Sequence, residues 1–301
     1  MRRLIIIGSK GSDLALLQEN DLKKKLSDKG FISEVRAIST KESDAQDLNS
    51  DKTEARSTTI TALNKELASK RIDIAVHFLM DLPTTAIPGL VIGALSKRED
   101  PSDLLLINND AVVMSNDLRL KDGATIGTSS LRRQRIIKDL ATQVTISDIN
   151  GNTLQRIQQL KDGSYDAIIL ASAEVHSLDI DLEGFQTIKL NPKEFAPAAG
   201  QGVIAYQCRA EDTELRKALS TIHDKSTSEV TNVERKVLKL MDGSYDTPLG
   251  VYVEKDVSGY FHVWASYAPS ENAKPIKINL SQSTSHQLAE KVVEQLRNNN
   301  K

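Results

Sequence analysis

Twice in this chain a short apolar run passes through a glycine- and serine-rich turn straight into a segment of helical periodicity. The first passage is Leu4–Ile7, then Gly8-Ser9-Lys10-Gly11-Ser12, then a helix over Leu14–Leu26 with apolar residues at 14, 17, 22 and 26. The second is Ala124–Ile126, then Gly127–Ser130, then a helix over Leu131–Leu140. Strand, turn and helix in that order, repeated, specify an α/β fold. Ser12 or Asp13 is the natural N-cap of the first helix.

Each passage opens a longer β-α-β-α-β unit. The first continues with a strand at Val35–Ile38, a helix at Thr59–Ala68 and strands at Ile72–His77 and Val91–Leu95. The polar stretch Thr40–Thr58, without glycine or proline to fix a turn, reads as a mobile loop. Glu99-Asp100-Pro101-Ser102-Asp103 reads as a crossing between domains. The second unit then holds a strand at Val144–Ile149, the turn Asn150-Gly151-Asn152, a helix through Ile157 and Leu160, and a strand at Tyr165–Ala171. Asn191-Pro192 and Pro197-Ala198-Ala199-Gly200-Gln201-Gly202 mark the way out. Beyond Asp224 the pattern changes to a helix at Val230–Leu240, strands at Leu249–Glu254, Phe261–Tyr267 and Lys274–Leu280, and a closing helix at His286–Leu296. That pattern suits a small α+β domain on an antiparallel sheet.

The 39 basic and 41 acidic side chains leave a formal net charge of -2, so no overall field recruits nucleic acid or a membrane surface, and any anion site must be local. The apolar run after Arg2-Arg3 is too short for a signal peptide, and no stretch approaches the roughly 18 apolar residues of a membrane span. The expected compartment is the cytosol. The single cysteine, Cys208, excludes an internal disulfide and reads as a small buried hydrophobe. Histidines 77, 176, 223, 262 and 286 are scattered without metal-ligand spacing, so no metal site is expected.

Two strand-turn-helix passages in series would place two helix N-termini at the mouth of a cleft between domains, where free N–H groups and the positive dipole end suit carboxylates or phosphates. Ser9, Lys10 and Ser12 surround the first; Thr128, Ser129 and Ser130 surround the second, with Arg132 and Arg133 in its first turn. Arginines beside a positive helix end are unfavourable for the helix itself, and an anion would remove that conflict. On spacing alone they read equally as part of a solvated face that includes Arg135. Asp81 follows an apolar strand and precedes Leu82-Pro83, at the strand end where α/β sheets carry their sites. It is the candidate catalytic carboxylate, with a turn-forming aspartate as the other reading. Arg156 follows the Asn150-Gly151-Asn152 turn and could serve the same cleft.

Several segments in order resemble the porphobilinogen deaminase (hydroxymethylbilane synthase) family along almost the whole chain. They are Ile72–His77 followed by Asp81-Leu82-Pro83, Arg98-Glu99-Asp100-Pro101, Gly127-Thr128-Ser129-Ser130-Leu131-Arg132-Arg133-Gln134, Tyr165-Asp166-Ala167-Ile168, and Gly200-Gln201-Gly202. The resemblance implies two α/β domains like those of periplasmic binding proteins plus a small α+β C-terminal domain. The implied divisions are 1–98 with 199–218, 103–194, and 224–301. It implies a cytoplasmic monomer that joins four porphobilinogen units head to tail with release of ammonia, on a dipyrromethane primer held by thioether to a cysteine near 243–248. Under it, Asp81 stabilises the cationic azafulvene left by ammonia loss. Lys10, Ser12, Thr128, Ser129, Ser130, Arg132, Arg133 and Arg156 bind the acetates and propionates of substrate and cofactor.

The departures from the family pattern are specific. Lys10 stands for an arginine and lacks its planar fork. Met80 replaces the lysine before the aspartate and forfeits a charged hydrogen bond worth about 1.5–3 kcal/mol. Asn150 replaces the arginine of an Arg-Gly-Asn turn, and Ala55-Arg56-Ser57-Thr58-Thr59 replaces a glycine-rich loop. Tyr245 occupies the position of the primer-bearing cysteine. An unperturbed phenol, with a pKa of about 10, supplies little nucleophile at neutral pH. Thioether attachment by the family's route is therefore not expected. Two readings follow: a synthase with altered primer handling, and a non-catalytic paralogue that binds porphobilinogen, a linear tetrapyrrole or another small polyanion. A solute-binding module of the periplasmic type is disfavoured by the third domain.

Overall fold

The structure, a computed structural model, describes residues 3–9, 11–38, 52–244, 246–271 and 273–299, without the side chains of Asp13 and residues 52–57. It divides into two compact units, Met1–Glu99 with Gly202–Glu229 and Asp100–Gln201 with Val230–Lys301. The first unit begins with β1 (Leu4–Ser9), α1 (Asp13–Asp28), β2 (Ile32–Ala37), α2 (Lys52–Ala68), β3 (Ile74–Phe78) and β4 (Leu90–Leu95). In the second, β5 (Asp103–Asn108), β6 (Thr125–Gly127), α3 (Leu131–Leu140), β7 (Thr145–Ser147), α4 (Thr153–Lys161), β8 (Ala167–Ala171), α5 (Ser172–Ser177) and β9 (Phe185–Leu190) follow. The chain returns to the first unit for β10 (Ile204–Arg209) and α6 (Thr213–Ser220), then runs through α7 (Lys225–Leu240) to β11 (Leu249–Lys255), β12 (Phe261–Tyr267), β13 (Ile276–Gln282) and α8 (Leu288–Asn298).

The two five-stranded sheets share one plan. Strand order is β2-β1-β3-β10-β4 in the first and β7-β6-β8-β5-β9 in the second. In each, three strands joined by helices run parallel, and one strand from beyond a chain crossing is inserted antiparallel between the third and last. Such doubly covered sheets bury both faces, and the strands are accordingly apolar throughout: Ala167, Ile168, Ile169, Leu170 and Ala171 are all buried. The fold is thus α/β, completed by the antiparallel sheet β11-β12-β13. The core of that last region, from Val230 to Leu296, is built from α7, α8 and the inner face of the three strands.

The α1 helix is capped by Ser12, whose side chain accepts from the Ala15 N–H, and past its end at Asp28 lies Gly30, whose φ of 81° lets the chain turn back so that Phe31 N–H reaches the Leu26 carbonyl. The expected loop over 40–58 lies outside the described residues as far as 51, and beyond that it is corrected: α2 starts at Lys52, not Thr59. The absence of glycine and proline, read above as a missing turn signal, equally means that nothing stops the helix from extending backward. The α7 helix likewise starts earlier than Val230, because the Asp224 carboxylate accepts the Thr227 N–H at 2.8 Å and caps it. Pro275 has no N–H to give a ladder, so β13 begins after it. The strands β5, β9 and β10 and helices α5 and α6 had no sequence expectation. Leu104-Leu105-Leu106-Ile107 is an apolar run without alternation, and the expected domain crossing ends on what is the first residue of β5.

In the first unit Asp73 anchors the start of β3. It accepts from Ile6 N–H at 2.9 Å and from Arg209 at 2.6 Å, while Arg209 also donates to the Leu67 and Ile72 carbonyls. Burial, the largest influence, pushes the Asp73 carboxyl up, but these donors and Arg3 outweigh it and hold it below the ordinary value. In the second unit β11 docks on the segment after β9: Val251 N–H donates to the Pro197 carbonyl at 2.9 Å, and Gly250 lies so close to the Ala196 carbonyl that a side chain would strike backbone. Gly250→Ala is expected to cost about 1–3 kcal/mol through overpacking, read as a lower urea midpoint with an unchanged slope.

Candidate functional site

In the first unit β1 and β3 are adjacent and parallel, so their carboxyl ends share one edge of the sheet. Ser9, fully buried at the end of β1, accepts the Gly11 N–H at 2.9 Å, and Ser12 caps α1 just beyond. Lys10 lies outside the described residues. At the end of β3 the chain forms a single 3-10 turn, Leu79–Asp81, fixed by Leu79 N–H donating to the Val203 carbonyl at 2.9 Å. This turn places Asp81, half-buried, at the same edge as Ser9 and Ser12. Met80 sits inside the turn, so the position beside the carboxylate is apolar.

In the second unit β6 and β7 are adjacent and parallel, and α3 and α4 start side by side from their ends. Ser129 joins the two turns: its hydroxyl donates to the Ile149 carbonyl at 2.7 Å and accepts the Ile149 N–H at 3.0 Å. Thr128, 1% exposed, accepts the Ser130 N–H, and Ser130 caps α3 through the Arg133 N–H. At the start of α4, Asn152 and Gln155 form a reciprocal capping box, and Arg156 Nε donates to the Gly151 carbonyl at 2.9 Å. Helix N-termini carry free N–H groups and the positive end of the helix dipole, and two of them follow the ends of these neighbouring strands.

Arg132 and Arg133 belong to that edge, but their guanidiniums turn inward, with side chains 5% and 11% exposed. Between them lies Asp103, the first residue of β5 and fully buried. Arg132 meets one carboxylate oxygen at 2.8 Å; Arg133 donates to the other through Nε at 3.1 Å and NH2 at 2.7 Å. Arg132 also donates to the Ala196 carbonyl and to Gln201, and Arg133 to the Ile169 carbonyl. Gln201 closes the cluster, donating to Asp103 at 3.0 Å and to the Pro101 carbonyl at 2.8 Å. Burial, the largest influence, would raise the Asp103 carboxyl, but Arg132 and then Arg133 outweigh it and hold it below the usual carboxylate range. The bidentate forks are thus engaged with protein, while their charge stays beneath the start of α3.

Asp103 and Gln201 were missed as site residues. Both fall in or beside quoted family segments, Arg98–Pro101 and Gly200–Gly202, that were read as markers along the chain rather than as side chains. Cys208 is fully buried in β10, and burial, the largest influence, raises its thiol to about 11. Tyr245 lies outside the described residues. Beside it, Ser244 N–H donates to the Thr247 hydroxyl at 2.7 Å. Among the described residues no group of three or more His, Cys, Asp and Glu could hold a metal, and no helix is long and apolar enough to cross a membrane.

Comparison with known proteins places this α/β chain in a family. Residues 5–217 match the family model described as porphobilinogen deaminase, dipyromethane cofactor binding domain. The chain is 36% identical over 258 residues to the porphobilinogen deaminase of Fusobacterium nucleatum, covering 84% of each chain. To that of Halalkalibacterium halodurans it is 33% identical over 296 residues, covering 98% of this chain and 94% of the relative. Among solved structures it is similar to a periplasmic binding protein of Salmonella typhimurium, with a TM-score of 0.40 and 14% identity over 75% of this chain and 94% of the other. The chain belongs to the porphobilinogen deaminase family.

Because the folded Asp103 carboxyl lies below its unfolded value, its stabilising contribution is present above the ordinary carboxylate range and is lost as pH falls through the folded value. Asp103→Ala leaves two buried guanidiniums uncompensated and is expected to cost about 3–5 kcal/mol at pH 7, with a smaller penalty in acid, measured by urea unfolding at both pH values. The Cys208 thiol is expected to stay unreactive to a thiol-labelling disulfide reagent in the native chain and to react fully in urea, read as absorbance of the released thiolate.

Proposed function

We propose that this chain is a hydroxymethylbilane synthase of tetrapyrrole biosynthesis, working as a cytoplasmic monomer on porphobilinogen. Family membership over almost the whole chain is the observation that carries this reading. Each turn of the reaction breaks the aminomethyl C–N bond of one porphobilinogen, releases ammonia and forms a C–C bond to the next pyrrole. The intermediate is a cation delocalised over the pyrrole nitrogen. Asp81 supplies the carboxylate that stabilises it, more effectively at a half-buried position than in water. The helix starts at Ser12 and Ser130, with Thr128, Ser129, Lys10 and Arg156, take the acetate and propionate groups, and Arg132 and Arg133 add charge beneath them.

The family's dipyrromethane does not fit here as a thioether. The only thiol in the chain, Cys208, is buried in the centre of a sheet and held protonated, so it offers no nucleophile to an electrophilic methylene. We therefore assign no covalent primer to this chain. The same observation favours a second reading, a non-catalytic paralogue that binds porphobilinogen or a linear tetrapyrrole through the same edges.

The two separate in one experiment. The purified chain is given porphobilinogen anaerobically, substrate loss is followed, and intact mass is recorded before and after. Consumption with an unaltered polypeptide mass, falling at least a hundredfold in Asp81→Ala, is the expected result, since removing a group that stabilises transition-state charge costs about 10²–10³ in rate. Saturable binding without consumption would establish the paralogue instead, and no binding at all would remove both.

A further inference from the structure

We propose that Ser281, His262 and Asp256 form a nucleophilic site on the outer face of the C-terminal sheet, at which Ser281 accepts the acyl group of an activated ester. The proposal is independent of the chemistry assigned to Asp81. Strand register assembles the site: β12 and β13 are antiparallel, and His262 stands directly opposite Ser281. Successive residues of a strand alternate between faces, so these two share the face of Trp264 and Asn279, while Val263, Ala265 and Ile278 pack into the core. His262 Nδ1 lies 2.7 Å from the Ser281 hydroxyl, and its Nε2 lies 3.1 Å from a carboxylate oxygen of Asp256, in the turn between β11 and β12. The other oxygen of Asp256 accepts the Ser258 and Tyr260 N–H groups, each at 2.9 Å, which fixes the carboxylate in place.

These contacts set the direction of each proton. The His262 bond, the largest influence, and then the Tyr260 N–H hold the Asp256 carboxyl below its ordinary value, so it is ionised at neutral pH and only accepts. His262 Nε2 therefore carries the hydrogen. In a neutral imidazole the other nitrogen is then an acceptor, and Ser281 is left to donate. A hydroxyl that donates to an imidazole oriented by a carboxylate is the arrangement that activates serine as a nucleophile. Glu254, opposite His262 on β11, is engaged by Lys193 at 2.8 Å, and Lys277, further along β13, by Asp139 at 2.7 Å. The Tyr252–Trp264 stack, with ring centroids 5.8 Å apart, runs alongside, and Trp264 lies 6.1 Å from His262, so an aryl group beside the hydroxyl meets apolar surface. In the reaction Ser281 Oγ bonds to the ester carbonyl carbon as its proton passes to His262 Nδ1. The bond from that carbon to the aryl oxygen then breaks, and the imidazolium gives its proton to the departing oxygen.

The test is para-nitrophenyl acetate added to the full chain, with nitrophenolate release followed by absorbance and acetyl groups located by peptide mass. Neutral hydroxylamine removes ester-linked acetyl groups and spares the amides formed on lysines, so the two are told apart. The expected result is a hydroxylamine-sensitive acetyl group on Ser281, absent from Ser281→Ala. It should form about 100-fold more slowly in His262→Gln, since a positioned general base contributes about 10²–10⁴-fold. Asp256→Asn should slow it too, because an amide no longer fixes Nε2 as the protonated nitrogen, and the wild-type rate should rise with pH as the imidazole becomes neutral. Steady nitrophenolate release above that of Ser281→Ala supports the proposal equally, because water then removes the acetyl group as it forms. Acetyl groups on lysines alone, with release equal to that of Ser281→Ala, overturn it. So does acylation of Ser281 at the same rate in His262→Gln, the behaviour of an ordinary exposed serine. Porphobilinogen consumption or binding by Ser281→Ala is expected to match the wild type, so the outcome here and that of the proposed function stand apart.

Discussion

A carboxylate with no access to water gathers the second unit. Asp103 opens β5, the strand inserted backward into the sheet; Arg132 and Arg133 open α3; Gln201 closes the segment that leads out of the unit. Three stretches far apart in sequence meet at one pair of oxygens. Such a meeting tolerates little error, because each buried charge left without its partner costs several kcal/mol, roughly the margin by which a domain is folded at all. The position of the α3 start, and of the serine turn in front of it, follows from this contact and from the bonds between Ser129 and Ile149.

The same geometry changes what the arginine pair contributes. Read as a solvent-facing clamp, two forks would grip a ligand carboxylate directly. Turned inward, they hold Asp103, Gln201 and the Ala196 and Ile169 carbonyls, while the Ser129 and Ser130 hydroxyls fasten the turn in front of α3. Asp81 follows a related logic in the other unit. A tight turn at the end of an apolar strand holds a short side chain with few rotamers, beside Met80, which brings no competing charge.

What the sequence could show depended on whether the signal was local. Strands such as Leu4–Ser9 and helices such as Leu131–Leu140 declare themselves through period and capping residue, and the turns carrying Ser12 and Ser130 lie where those signals place them. The inserted strands β5 and β10 do not, since an apolar run without alternation fits a buried strand of either direction, and pairing with residues a hundred positions away leaves no local trace. Long-range partnership also hid Asp103: an aspartate in a polar stretch near a proline looks like a turn. The extension of α2 back to Lys52 shows the opposite error, in which a polar composition was given more weight than the absence of any residue that breaks a helix.

The shared strand order of the two large sheets bears on how the chain is made. The edge strand β4 has no partner in the first sheet except β10, which separates it from β3. When β4 leaves the ribosome its partner is still unmade, and the entire stretch from Ser96 to Val203 must be synthesised before the first unit can close. The second sheet has no such wait, because its inserted strand β5 precedes all the others. The first sheet is therefore begun first and closed only after the second sheet has been synthesised, and β4 spends that interval as an open edge in need of protection.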